Sequence, residues 1–284
     1  MKRITRYIWL IILLGFSSCT KEIDFDLSDQ TTNRLVVEGS FTNISAQHEI
    51  KLTRSTPFYQ PNATPVEPGA AVSIVGNNQT IIFDEVAPGV YRNLAADSGV
   101  IGQTYTLQIE LENGEQYTAS ETMRRNAVID SMSYEYLPFA SFYNLNIWTQ
   151  EPPGKGDSYL WNVYIDGVWV NDTLRYSSFQ NDDFVDGSYI NGGTIYQIRE
   201  RSFLDYNFNP PPKKDSIDVE IETLHISQGF YEFVVTALLE TEFRGTPFDG
   251  PPANLRGNIS NEALGYFSVY SLSNRYKFTI QAEH

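Results

Sequence analysis

Thr104-Tyr105-Thr106-Leu107-Gln108-Ile109-Glu110-Leu111, followed by Glu112-Asn113-Gly114-Glu115 and then Gln116 to Met123, is the stretch that decides the fold. Tyr105, Leu107, Ile109 and Leu111 fall on one face, and Thr106, Gln108 and Glu110 on the other. That period of two belongs to a strand with one side buried and one side wet. Asn113-Gly114 predicts the two positive-φ positions of a tight hairpin, with Gln116 to Met123 as the returning strand.

The same signature recurs toward the N-terminus. Short alternating runs occur at Leu35–Phe41, Glu49–Thr53, Ala71–Val75, Thr80–Phe83 and Val90–Arg92, divided by the Asn77-Asn78 and Pro88-Gly89 turns. With the hairpin these predict seven strands over residues 34–125, an antiparallel sandwich that is Ig-like or transthyretin-like by strand count. Asn126 to Asp130 reads as a boundary to a second β-rich domain over 126–284. There, Ile129–Leu137, Phe142–Trp148, Tyr159–Ile165, Val168–Val170, Thr194–Arg199, Ile217–Ile226, Gly265–Leu272 and Tyr276–Ile280 are the candidate strands. Asp166-Gly167 predicts a type I′ turn. Residues 171–193, rich in Asn, Asp, Ser and Gly, read as one long exposed loop. Ser227 predicts a helix N-cap. Phe230, Phe233, Val234, Ala237 and Leu238 repeat at helical spacing, with Tyr231, Val235 and Leu239 on the flank, so a helix near 228–240 is expected, buried against the second sheet. The expected fold class is mainly β with one packed helix.

Residues 1–18 read as a secretory signal: Lys2, Arg3 and Arg6, then an apolar run from Tyr7 to Phe16. That run is about half the twenty residues a membrane span needs. Phe16-Ser17-Ser18-Cys19 ends it on the one cysteine of the chain, an arrangement that resembles a bacterial lipobox with Phe in place of the usual Leu. Cys19 is therefore the expected lipidation site, and several acyl chains at about 0.8 kcal/mol per buried methylene make a durable anchor. Residues 19–33 read as a polar tether, and the expected location is the outer membrane, on its periplasmic or surface face. Thr20-Lys21-Glu22-Ile23-Asp24 partly resembles an export signal to the outer face.

The formal charge of −15 becomes −18 once Lys2, Arg3 and Arg6 are removed with the signal. Such a balance repels nucleic acid. His48, His225 and His284 have no second His or Cys at ligand spacing, so no zinc site is expected. His225, at the end of an alternating strand, reads as structural. No nucleophile elbow, dinucleotide or phosphate-loop pattern occurs, and neither a catalytic residue nor a cofactor is expected. A hydrolytic carboxylate pair would need two carboxyls about 5–9.5 Å apart in one pocket. Asp182, Asp183 and Asp186 offer oxygen ligands for calcium but miss the EF-hand spacing. Trp169, Tyr176, Phe179, Phe184 and Tyr189, with Trp161, form a candidate platform for a glycan or peptide, because rings bury area at low entropic cost.

Leu35-Val36-Val37-Glu38-Gly39, Pro68-Gly69-Ala70-Ala71-Val72-Ser73-Ile74 and Gly102-Gln103-Thr104-Tyr105-Thr106-Leu107 occur in that order. Phe248-Asp249-Gly250-Pro251-Pro252, Gly257-Asn258-Ile259 and Leu264-Gly265-Tyr266-Phe267 follow. Together with the lipobox, this order resembles the Bacteroidota outer-membrane lipoproteins grouped as domain-of-unknown-function family 4249. The resemblance implies an accessory role beside a TonB-dependent receptor and carries no catalytic residues with it. A free-standing glycan- or peptide-binding lipoprotein is the alternative expectation.

Overall fold

In the computed structural model the two faces of the 104–123 hairpin separate as their alternation requires. Tyr105, Leu107 and Ile109 are buried while Thr104, Gln108 and Glu110 are exposed. Burial of each large apolar side chain contributes about 1.5–3 kcal/mol. The turn is looser by one residue than the tight form expected. Only Gly114 has positive φ, at 85°. The Gly114 N–H donates to the Leu111 carbonyl and the Leu111 N–H to the Glu115 carbonyl, both at 2.9 Å. This is a three-residue loop with glycine in the left-handed position. Asn113 instead uses its Oδ1 to accept from the Glu115 N–H at 3.0 Å.

The structure describes residues 33–56, 65–205, 207, 212–242 and 255–283. The expected signal over 1–18, Cys19 and almost all of the tether lie outside the described residues, as does the Phe248–Pro252 motif. Among the described residues the chain forms β1 (Leu35–Thr42), β2 (Glu49–Arg54), β3 (Ala71–Gly76), β4 (Gln79–Ala87), β5 (Val90–Arg92), β6 (Thr104–Glu110) and β7 (Gln116–Thr122). There follow β8 (Val128–Leu137), β9 (Phe142–Gln150), β10 (Ser158–Ile165), β11 (Val168–Trp169), β12 (Ser178–Asn181) and β13 (Tyr189–Arg199). The chain ends with β14 (Ser216–Ile226), α1 (Gln228–Glu242), β15 (Leu264–Leu272) and β16 (Tyr276–Gln281). The fold is mainly β with one helix, and no described helix is long and apolar enough to cross a membrane.

Thirteen strands form one sheet in the order β11-β10-β14-β15-β1-β2-β5-β4-β3-β6-β7, with β12 beside β10 and β16 beside β14. β13-β9-β8 form a second, three-stranded sheet. The pairings are antiparallel except β1 with β15, which is parallel from Val36↔Leu264 to Thr42↔Tyr270. β1–β7 and β15 enclose one hydrophobic cluster that includes Phe41, Tyr91, Tyr105, Leu107 and Phe267. Residues 258–261 stitch β7 to β15 around it. Asn258 exchanges two bonds with the Phe267 backbone, at 2.8 and 3.0 Å, and the Ser260 N–H donates to the Thr118 carbonyl at 2.8 Å. The closing motif needs its glycines for close backbone approach. A Cβ on Gly257 would lie 1.9 Å from the Gly265 carbonyl oxygen, and one on Gly265 2.0 Å from that of Val37. A second cluster, with Tyr143, Leu145, Trp161, Val163, Val219 and Ile221, fills the space between the small sheet and β10, β14 and β16.

Two local expectations are corrected. Residues 171–193 are not one loop: they hold a 3-10 turn at Leu174–Tyr176, strand β12 and the start of β13. β12 escapes an apolar pattern because it is an edge strand of four residues, held by backbone pairing to β10. The helix begins as expected, with the Phe230 N–H donating to Ser227 Oγ at 3.0 Å. It is not buried all round, however. α1 lies on the outer side of the large sheet, so Val234 is buried whereas Leu239 is 61% exposed.

Candidate functional site

The outer face of the large sheet carries a groove of about 740 Å³ between α1 and the segment after β10. Phe230, Phe233 and Val234 form one wall, Trp169, Asn171 and Asp172 the other, and Tyr266 and Tyr270 lie on the floor. The size is that of a ligand cleft. Phe230 and Phe233 each stand 5.1 Å, ring centre to ring centre, from Tyr266. Trp169 is 44% exposed yet fixed. Its ring stacks on Tyr164 at 6.3 Å, and its Nε1–H donates to Asn171 Oδ1 at 2.9 Å. Asn171 is itself buried, accepting from the Val163 N–H at 2.8 Å and donating to the Trp161 carbonyl at 2.6 Å. The Asp166-Gly167 turn, with φ of 49° and 80°, brings this assembly back beside β10. The result is an aromatic plate held in one orientation before any ligand arrives.

The other aromatic candidates do not join Trp169 on one surface. Tyr176 lines a separate cleft with Tyr196 and Arg201. Phe179 packs edge-on to Tyr231 of α1 at 5.7 Å. Phe184 stands alone, 97% exposed, and Tyr189 opens β13, its hydroxyl pKa raised by Asp130 nearby. Trp161 is in the second core.

The three calcium candidates are also separated. Asp183 takes a hydrogen bond from Asn181 Nδ2 at 2.7 Å, and Asp186 one from the Gly154 N–H at 2.6 Å. Asp182 is buried and groups instead with Glu151 and Asp157, one oxygen of each lying within 4.8 Å of the others. The chain supplies donors to all three. Asp157 takes Arg124 Nη2 at 3.0 Å and the Arg125 Nε and Nη2 at 2.9 and 2.6 Å. Asp182 accepts from the Gly156 and Asp157 N–H groups, both at 3.1 Å. The Tyr159 hydroxyl lies 2.7 and 2.8 Å from the two oxygens of Glu151. Arg125 Nη2 also reaches the carbonyls of Pro152, Pro153 and Gly154 at 2.9–3.1 Å. The positive charge on this group comes from two guanidiniums paired with Asp157, so the arrangement is a clamp between the end of β7 and the loops flanking β10. Its carboxyl oxygens are committed to protein donors rather than open to a substrate.

Burial pushes the Glu151 carboxyl above its ordinary range, helped by the charges of Asp157 and Asp182. Tyr159 is raised by burial and by Glu151. Two buried histidines, one in each core, are lowered by desolvation: His225 falls to about 4, while the carbonyl and charge of Asp97 oppose the fall at His48.

Sequence reasoning missed Glu151, Asp157, Arg125 and the groups around His225. One signal was available: Thr223 and His225 occupy the inward register of a strand whose other inward positions are Ile217, Val219 and Ile221.

No curated protein matches the chain. A family model does match, over residues 20–275, that of the Domain of unknown function (DUF4249). The match spans most of the sequence, including the first hydrophobic cluster, the groove and the carboxylate clamp, and the chain belongs to that family.

Proposed function

We propose that this chain is a non-enzymatic lipoprotein of the outer membrane, of the Bacteroidota type, anchored through Cys19. It serves as an accessory subunit to a TonB-dependent receptor in uptake of a nutrient or macromolecule, and the groove beside α1 is its ligand face. The observation that carries this reading is the pinned, half-exposed Trp169 in a wide aromatic groove. Recognition needs a rigid plate of this kind. Bond-making needs free acid–base groups, and the buried carboxyls of the clamp are already engaged. The test is affinity purification of the detergent-solubilised lipoprotein from its own membranes. Recovery of a stoichiometric β-barrel receptor is expected, and recovery of the lipoprotein alone overturns the partnership.

The second reading, a free-standing glycan- or peptide-binding surface lipoprotein, is favoured by the same groove. Binding of the purified protein to a glycan or peptide array, abolished by Trp169→Ala and independent of any receptor, would select it.

A further inference from the structure

Trp161 and Thr223 face each other across β10 and β14, and Tyr159 and His225 form an inward-facing rung of the same ladder. All four side chains line a cavity of about 40 Å³ between the two sheets, together with Glu151. Its inner end is fully buried, whereas Gln180 at its other end is exposed and Val185 and Ile190 are half-buried. Three buried polar atoms of this wall have no hydrogen-bond partner among the described residues: Trp161 Nε1, Thr223 Oγ1 and His225 Nε2. Leaving such a group unpaired costs about 1–3 kcal/mol.

The protonation of His225 follows from its other nitrogen. Nδ1 accepts from the Ala127 N–H at 3.4 Å. A neutral imidazole that accepts at Nδ1 carries its proton at Nε2. Two N–H groups that can only donate therefore belong to side chains of the cavity wall, with one hydroxyl that donates or accepts. The rest of the wall is largely aliphatic, with Ala127, Ile129, Ile147, Val185 and Ile190.

We propose that this cavity is a binding site for a small uncharged carbonyl compound, its oxygen accepting from the Trp161 and His225 N–H groups and its body lying against the isoleucines. The charge of the ligand follows from the surroundings. An anion would meet Glu151, which sits with Asp157 and Asp182. A cation would meet two N–H donors in a desolvated space. A primary amide suits the site best, because its NH₂ also finds an acceptor in the unpartnered Thr223 hydroxyl. One water needs about 10–15 Å³, so the cavity takes about three waters or a ligand of comparable size, its aliphatic tail toward the Gln180 end. The cavity and the groove are separate: Trp169 lines the groove and not the cavity.

The test is an NMR titration of the purified protein with three probes of one shape, isobutyramide, isobutyrate and isobutylamine. The readout is the indole N–H resonance of Trp161, assigned by its loss in Trp161→Phe. The amide is expected to move that resonance downfield saturably, and the acid and amine to leave it in place. Thr223→Val, which keeps the shape and removes the hydroxyl, is expected to weaken the amide about fivefold, the loss of one buried hydrogen bond. Trp169→Ala is expected to leave the titration unchanged, which separates this site from the groove. No saturable shift with the amide, or an equal shift with isobutyrate, overturns the proposal and leaves the three orphan atoms to ordered water.

Discussion

The two hydrophobic clusters are built from the same strand alternation and end in opposite states. In the first, the buried polar atoms are satisfied. The Tyr91 hydroxyl donates to the Glu67 carbonyl and accepts from the Ala70 N–H, at 3.0 and 2.9 Å. Tyr105 accepts from the Val100 N–H at 2.8 Å, and His48 Nε2 lies 3.0 Å from the Asp97 carbonyl oxygen. In the second, Trp161, Thr223 and His225 line a cavity without partners, next to three buried carboxyls. A core whose only task is cohesion closes its hydrogen bonds. The second leaves three polar atoms unpartnered in the wall of a cavity, and that contrast is what the amide-site proposal rests on.

The sharpest way to break this contrast is to damage the element the clusters share. Phe267 is fully buried on β15, which pairs with β1 on one side and β14 on the other. Phe267→Ala is expected to cost about 3–5 kcal/mol, read by denaturant unfolding as one cooperative transition shifted to lower midpoint. Two resolved transitions would show that the clusters melt separately. The two buried histidines carry the next largest effect. His225 is held neutral, its pKa lowered to about 4 from an ordinary 6.5. The unfolded chain binds the proton first as pH falls, so stability is present above pH 6.5 and drains away toward pH 4. At about 1.4 kcal/mol per unit the loss approaches about 3 kcal/mol. Unfolding free energies across that range are expected to show a flatter slope in His225→Gln than in the wild type, and a smaller flattening in His48→Gln. Glu151 acts with the opposite sign. Its raised pKa means that ionisation costs stability as pH climbs past 4.5. Glu151→Gln is therefore expected to gain on the wild type with rising pH. Asp157→Asn tests the clamp beneath the second cluster: it keeps an acceptor, removes the charge facing two arginines, and is expected to cost about 2 kcal/mol. The smallest effect is at the helix, where Ser227→Ala removes the cap on the Phe230 N–H and is expected to cost about 1 kcal/mol by thermal melting.

What was legible in the sequence follows from what is local. Alternation marks β1 to β7 within one or two residues, except that β4 runs four residues past its expected end at Phe83, because each strand has one wet face. Ser227 and the Phe230–Leu238 spacing mark α1 for the same reason. The pairing of β1 with β15 was not legible, since residues 35–42 carry no trace of a partner more than two hundred positions away. β12 was hidden because Ser178-Phe179-Gln180-Asn181 has a single large apolar residue. The aromatic candidates were legible one by one, but only tertiary packing places Trp169 opposite Phe230 and Phe233 and sends Phe184 elsewhere. The carboxylate clamp draws on positions 124, 125, 151, 157 and 182, and no spacing rule joins them.

The place of β1 in the sheet bears on how the protein takes a mechanical load. β1 begins two residues after the first described position and runs between β2 and β15, five residue pairs registered on one side and seven on the other. A pull along the chain at Asn33 therefore drags this strand lengthwise between two neighbours. Its bonds are sheared together rather than peeled open singly, and the entry point of the chain is among the hardest places to unravel it by force.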